Sequence, residues 1–151
     1  MAERKEIIVV AHCLLNPCTR VKGLEPLCFA PSGPLIQLPC PEAIYLGLDR
    51  WAVTRNQLDV PEFRRFCGRL LEPYVDLMEM FASKGYSLRI VGASGSPSCG
   101  VNTTTIGYSG GRVRVAEHEH ICGMGVFVEV LAAELRKRGL SFELEDAVKS
   151  E

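Results

Sequence analysis

Four short apolar runs, separated by segments with helical periodicity, constrain the fold of this chain more than any other feature. The runs EIIVVA, PLIQLP, LRIVGA and LSFELE occupy residues 6–11, 34–39, 88–93 and 140–145. The first is continuous and β-branched, which is typical of a strand buried on both faces of a parallel sheet. The fourth alternates apolar and polar residues, so it is predicted to lie nearer a sheet edge.

Two long segments between these runs are predicted to be helices. Residues 59–85 and 125–139 carry apolar side chains at helical spacing, and each segment ends in a glycine. Pro73 lies inside the first segment and predicts a kink or a split in that helix. Residues 102–117 predict a loop or a small hairpin around two consecutive glycines.

Strands that alternate with helices predict one α/β domain over residues 1–151, a Rossmann-like α/β/α sandwich with a mostly parallel sheet. The formal net charge of −1 excludes a basic field over the whole protein that would attract nucleic acid. No apolar run reaches the ~20 residues of a membrane span. The first residues include acidic side chains, and a histidine interrupts the apolar run that follows them. This pattern is atypical of a signal peptide. We therefore expect a cytoplasmic protein with reduced thiols.

The chain has seven cysteines, an odd number that favours metal binding or catalysis over a disulfide framework in a reducing compartment. Cys67 lies in an amphipathic helix and is predicted to be a core residue. Cys13, Cys40 and Cys99 each follow one of the first three predicted strands. Because parallel strands place ligands outside their carboxyl ends, we expect these three thiols to emerge at one edge of the sheet.

The neighbours of these cysteines suit a metal site. Pro41 and Glu42 predict a short helix after Cys40, whose N-terminus would lower the pKa of that thiol. The serines and glycines around Cys99 can offer hydroxyl and backbone N–H donors to its sulfur. Three thiolates suit zinc or an iron–sulfur cluster, whereas the alternative for Cys13, Cys40 and Cys99 is ordinary core packing.

The segments VVAHCLLNPC, LPCPEAIYLGLDR, GSPSCG and GMGVFVEVLAAELRKRGLSFELED resemble those of the thiouracil desulfidase family, in the same order. The resemblance covers nearly the whole chain. It implies a [4Fe–4S] cluster held by Cys13, Cys40 and Cys99, with one iron free to bind sulfur, and it implies that Glu42 and Ser96 are catalytic. The implied reaction exchanges the sulfur of a thiolated pyrimidine base or nucleoside, such as 2-thiouracil, for oxygen and releases sulfide.

The chain departs from the commoner members of that family at two places. It reads NPCTRVKG after CLL, and AIYLGLDRW where those members carry a Gly-Gly pair after CPE. These departures concern the substrate pocket more than the cluster ligands. We expect no further domain that would hold tRNA, and therefore a small base or nucleoside as substrate, with thiolated tRNA as the remaining alternative.

Several residues that are not among the implied cluster ligands keep other interpretations open. Cys18 is the alternative ligand, and His12 could adjust the cluster through its neighbour Cys13. His118, His120 and Cys122 would share one face only in a strand and could then bind zinc. A polar loop beside the site is the favoured interpretation of that segment.

The proposed catalytic residues also have simpler interpretations. Glu42 could be a residue of a first helical turn that the helix dipole favours. Ser96 could be a turn residue. The alternative function is a non-catalytic protein that carries sulfur or a metal on the same three cysteines.

Overall fold

A computed structural model describes residues 5–30, 32–112 and 118–148. The elements, in chain order, are β1 (Glu6–Val10), α1 (His12–Leu15), a 3-10 turn (Pro17–Thr19), β2 (Leu35–Gln37), α2 (Pro41–Leu46), α3 (Arg55–Leu58), α4 (Pro61–Ser83), β3 (Ser87–Ala93), β4 (Thr103–Gly107), β5 (His118–Cys122), α5 (Val126–Lys137) and β6 (Glu143–Ala147).

Four parallel strands form the main sheet, in the order β2-β1-β3-β6. The central strands β1 and β3 are almost wholly buried, as their apolar runs predict. The strand β6 lies at an edge and alternates in burial, which confirms the predicted edge position. The predicted Rossmann-like α/β fold with a mostly parallel sheet is therefore confirmed.

The two faces of the sheet are covered differently. Alternate β1 residues Ile7 and Val9 pack in the larger core with the buried faces of α4 and α5. Ile8 and Val10 point to the other face, into a smaller cluster that side chains of the segment 14–35 cover. In the part of the chain that the structure describes, no helix is long and apolar enough to cross a membrane.

The helix α4 passes through Pro73 without interruption, so the predicted split is wrong. Pro73 is exposed, whereas the opposite face of α4 buries an apolar stripe that includes Cys67 and Leu71. Packing of that stripe against the sheet offsets the hydrogen bond that proline cannot make. Cys67 is fully buried, as predicted, and burial raises the pKa of its thiol to about 12.

The helix α5 ends in a Schellman motif, which explains why β6 begins later than predicted. Gly139 has φ +73° and its N–H donates to Arg136 O, while the N–H of Leu140 donates to Leu135 O. Leu140, which the sequence assigned to the strand, is thus used to close the helix. The strand starts only at Glu143.

The strands β4 and β5 form a separate antiparallel hairpin. The first strand falls within the predicted hairpin region, and residues 113–117 of that region lie outside the described residues. The segment 118–122 is a strand, so the favoured interpretation of HEHIC as a polar loop is wrong. It pairs with Thr103–Gly107, whose first four residues are β-branched, and this pairing makes it a strand although its own composition does not suggest one.

Candidate functional site

The carboxyl ends of β1, β2 and β3 meet at one cavity, and three cysteines line it. Cys13 lies in α1 directly after β1, Cys40 follows β2, and Cys99 lies in the turn after β3. The cavity encloses about 180 Å³. The structure thus brings together the three residues that the sequence predicted at this edge; they are called the pocket cysteines below.

The turn that carries Cys99 packs so closely against its neighbours that it requires glycine. A Cβ atom on Gly92 would lie 2.3 Å from Cys99 O, and one on Gly100 would lie 2.1 Å from Thr103 O. A Cβ atom on Gly125 would meet the backbone of the same turn at 2.3 Å. Since contacts this short do not occur, these glycines fix where the Cys99 thiol stands.

Burial raises the pKa of all three pocket cysteines above the usual thiol value. Repulsion from Cys13 and Cys40 adds to the effect at Cys99, so the three sulfurs interact electrostatically. The Arg20 guanidinium, with Nη1 4.0 Å from Cys13 Sγ, partly opposes the rise in the pKa of Cys13. Without a bound cation, the thiols are therefore mainly protonated at neutral pH.

The sequence predicts a lowered pKa for Cys40, and this prediction is wrong for the protein without a metal. Cys40 does cap α2, because its sulfur accepts the Ala43 N–H at 3.4 Å. That bond lowers the pKa of the thiol, but burial raises it by more. The short helix is present as predicted, and desolvation outweighs it.

Glu42 is a buried carboxylate at the cavity wall, in the first turn of α2. Its Oε2 accepts a hydrogen bond from Ser98 Oγ at 2.6 Å. Its Oε1 lies 3.5 Å from Arg50 Nε, and the two side chains of this ion pair are 8% and 6% exposed. Arg50 is held in turn by Thr19 O and Gly47 O, to which its Nη atoms donate at 2.7 Å and 3.1 Å.

Ser96 also lines the cavity, but its contacts are those of a residue that holds a turn. Its Oγ accepts the backbone N–H of Cys99 at 3.0 Å and that of Ser98 at 3.3 Å. The residue that contacts Glu42 is Ser98, which is 1% exposed. Ser98 Oγ lies 3.3 Å from Ser96 Oγ and 3.6 Å from Cys99 Sγ, so it links all three groups.

Sequence reasoning missed Ser98. Both serines lie in the same SPSC turn. Their roles differ only because Ser98 is buried and its hydroxyl contacts Glu42, whereas the Ser96 hydroxyl contacts the backbone. Ser98 has one hydroxyl hydrogen, and the short contact commits it to Glu42. The oxygen of Ser98 is then available to accept a hydrogen bond from the hydroxyl of Ser96.

Some of the remaining candidate ligands line the cavity and others do not. Cys18 is exposed and does not line the cavity. His12, His118 and His120 do line it, whereas Cys122, at the end of β5, is exposed and does not. Within residues 5–30, 32–112 and 118–148, no three His, Cys, Asp or Glu side chains are placed to hold a single metal ion.

His12 supports the turn that carries Cys13. Its Nδ1 donates to Leu38 O at 3.1 Å, because a carbonyl oxygen can only accept. Its Nε2 lies 3.4 Å from Asn16 Nδ2 and accepts from that amide. The ring therefore ties the start of α1 to the residues just beyond β2.

The donor set of this cavity fits an iron–sulfur cluster. Thiolates are the ligands of such clusters, and each cysteine binds a different iron, so the ligands do not need to meet at one point. The Arg20 Nε atom is buried without a hydrogen-bond partner among the described residues. A buried donor of this kind favours an acceptor such as a thiolate or an inorganic sulfide. A cavity of about 150 Å³ can take up one benzene ring, so the volume also suits one compact group.

Comparison with known proteins gives one informative similarity. The chain is 34% identical over 107 residues to the uncharacterized protein MJ0003 from Methanocaldococcus jannaschii, and the match covers 64% of this chain and 69% of that protein. No protein-family model matches the chain, and no solved structure matches it either.

Proposed function

The chain belongs to the family of the uncharacterized protein MJ0003 from Methanocaldococcus jannaschii, and we propose that it is a [4Fe–4S]-dependent desulfidase. Its substrate is a thiolated pyrimidine base or nucleoside, and its products are the oxo compound and sulfide. The observation that carries the proposal is the convergence of three strand-end cysteines with a buried Glu42 in one cavity. A reducing compartment such as the cytoplasm suits an enzyme that needs these thiols free.

The pocket cysteines would hold the cluster. When bound, the cluster would supply a Lewis-acidic iron with affinity for the thiocarbonyl sulfur. Ligation requires thiolates, so the raised pKa values of Cys13, Cys40 and Cys99 mean that loading releases protons. Arg20 and Arg50 place positive charge beside these sulfurs and limit the repulsion between them.

Glu42 has the position and the capacity of a general base. A carboxylate offers about four acceptor sites. Ser98 uses one, and Arg50 Nε approaches another, so acceptor capacity remains for a water molecule. Glu42 would take the proton as that water attacks the C=S carbon. The overall exchange of sulfur for oxygen by water needs no external electron donor.

Ser96 and Ser98 act on this base from the turn. Ser98 orients the Glu42 carboxylate through the 2.6 Å hydrogen bond. Ser96 accepts two backbone N–H groups and keeps its own hydroxyl hydrogen, which it can donate to Ser98 or to the substrate. Ser96 thus fits an orienting or relaying role rather than that of a nucleophile.

The test begins with protein purified and reconstituted without oxygen. We expect about four irons and four sulfides per chain, and release of sulfide from 2-thiouracil or a thiouridine. Glu42→Gln should retain the iron and lose the activity, whereas the exposed control Glu72→Gln should retain both.

Three results would overturn the proposal or a part of it. Stoichiometric zinc without iron would show that the protein does not hold an iron–sulfur cluster. Full activity of Glu42→Gln would show that Glu42 is not the general base. A loaded protein that releases no sulfide from any thiolated base, nucleoside or tRNA is the result expected of a sulfur or metal carrier on the same cysteines.

A further inference from the structure

Part of the cavity wall comes from the β4–β5 hairpin rather than from the strand ends. Thr105, His118 and His120 line the cavity from this hairpin. Thr105 and His120 stand directly opposite each other in the antiparallel register. Their side chains therefore share one face of the hairpin.

Hydrogen bonding fixes which nitrogen of His120 carries the proton. The Thr105 hydroxyl donates to Gly95 O at 2.7 Å, and a carbonyl oxygen can only accept, so the single hydroxyl hydrogen is committed. His120 Nδ1 lies 3.1 Å from the same Thr105 oxygen. Nδ1 must therefore be the donor in that contact. The neutral imidazole then carries its hydrogen on Nδ1 and a lone pair on Nε2.

The His120 ring packs against the backbone at Gly95. Gly95 has φ +79°, and a Cβ atom there would lie 3.1 Å from both Cε1 and Nδ1 of His120. Thr105 is 6% exposed, whereas His120 itself is exposed at the cavity. In the described residues, no group forms a hydrogen bond with His120 Nε2. Contacts with Thr105 and Gly95 therefore hold the ring on its Nδ1 side, and Nε2 is left as an acceptor without a partner among the described residues.

We propose that His120 is a substrate-binding residue whose Nε2 accepts a hydrogen bond from the ring N–H beside the thiocarbonyl group. This inference rests on the proposed desulfidase function and narrows its substrate class. The preferred heterocycle carries an N–H next to C=S, as the N3–H of 2-thiouracil and 2-thiouridine does. A thiocytidine has a lone pair instead of a hydrogen at that ring nitrogen. This lone pair would repel the lone pair of Nε2, so binding should be weaker.

The first test reads the tautomer and does not depend on activity. Long-range ¹H–¹⁵N correlation spectra of the full chain at pH 8, where histidine is neutral, should show His120 protonated at Nδ1. Thr105→Ser should keep that tautomer, and Thr105→Val should lose it. A His120 ring protonated at Nε2 in the unaltered protein would overturn the inference.

The second test uses oxo ligands, so it stands apart from desulfuration. Uridine should bind the reconstituted protein about tenfold more tightly than 3-methyluridine, and His120→Leu should abolish the difference. His120→Gln, which can present an amide oxygen, should restore part of it. Cys122→Ser, on the same strand but outside the cavity, serves as the matched control. Equal binding of both ligands by the unaltered protein would overturn the inference.

The third test separates this inference from the proposed function. Sulfide release from 2-thiouridine should exceed that from 3-methyl-2-thiouridine by about tenfold in kcat/KM, and His120→Leu should lower only the former. Equal release from both would refute the role of His120 and leave the desulfidase intact. No release from either, together with selective uridine binding, would refute the desulfidase and leave the N–H recognition intact.

Discussion

The two walls of the cavity are built in opposite ways. At the strand ends, Ser98 and Cys99 are 1% and 6% exposed, and the backbone around them tolerates only glycine at three positions. On the hairpin, His118 and His120 are exposed on a two-stranded sheet. Substitutions at the strand ends therefore affect stability as well as chemistry, whereas the exposed histidines of the hairpin can be replaced without disturbing the core.

The difference in burial assigns different tasks to the two walls. Desolvation and mutual repulsion raise the thiol pKa values at the strand ends, so a cation bound there has strong effects on protonation. On the hairpin, hydrogen-bond geometry fixes the His120 tautomer. The comparison predicts that substitutions on the first wall abolish function and those on the second change selectivity.

The largest effect is expected from removing a pocket cysteine. Cys99→Ser should lose most of the iron and at least about 10³-fold in sulfide release, because a serine oxygen is a poor ligand for the cluster. Iron content and activity after anaerobic reconstitution measure this directly. Cys28→Ser, at an exposed cysteine outside the cavity, should retain both. Full iron content in Cys99→Ser would remove this residue from the ligand set.

The next effect separates the two serines of the turn. Ser98→Ala leaves the buried Glu42 Oε2 without its hydrogen-bond donor. An unsatisfied buried acceptor costs about 1–3 kcal/mol of free energy, and the loss of an oriented carboxylate should lower kcat by about 10- to 100-fold. Ser96→Ala removes the acceptor of two backbone N–H groups, so its main effect should be on stability. Urea unfolding and kcat for both variants distinguish these outcomes. The reverse pattern would give Ser96 the direct catalytic role that the family resemblance implies.

These serines also show where prediction from sequence stops. The strands and the pocket cysteines could be predicted, because an apolar run and the residue after it are local signals. The choice of Ser98 over Ser96 could not, because it depends on which hydroxyl faces Glu42, 56 positions away. The β5 strand was missed for a similar reason, since its histidines become strand residues only through pairing with β4. Spacing alone makes Cys18 an alternative ligand, and it does not reveal that Cys18 is exposed and does not line the cavity.

A pair of glycine substitutions tests the tightness of the strand-end wall. Gly100→Ala would place a Cβ atom 2.1 Å from the backbone oxygen of Thr103 and should destabilise the protein by about 2 kcal/mol or more. Gly68→Ala, in the interior of α4 with no atom within 4 Å of the added Cβ, should stabilise it by about 0.5–1 kcal/mol. Urea unfolding of both variants measures the difference. Equal stability of the two would mean that the turn can relax, and that glycine does not fix the position of Cys99.

The smallest predicted effect is a loss of stability of the metal-free protein at alkaline pH. Burial raises the pKa of Cys99 in the folded state, so its contribution to stability is complete below the unfolded-state value of about 8.5 and declines as the pH rises above it. Cys13 and Cys40 act in the same direction. The free energy of unfolding, measured in urea from pH 7 to pH 10, should therefore fall with pH, and the fall should be smaller in Cys99→Ala. Cys28→Ala, which removes an exposed thiol, should reproduce the parent slope. If Cys99→Ala shows the parent slope as well, repulsion and burial at the strand ends do not act on the thiols as described, and the contrast between the two walls is one of exposure alone.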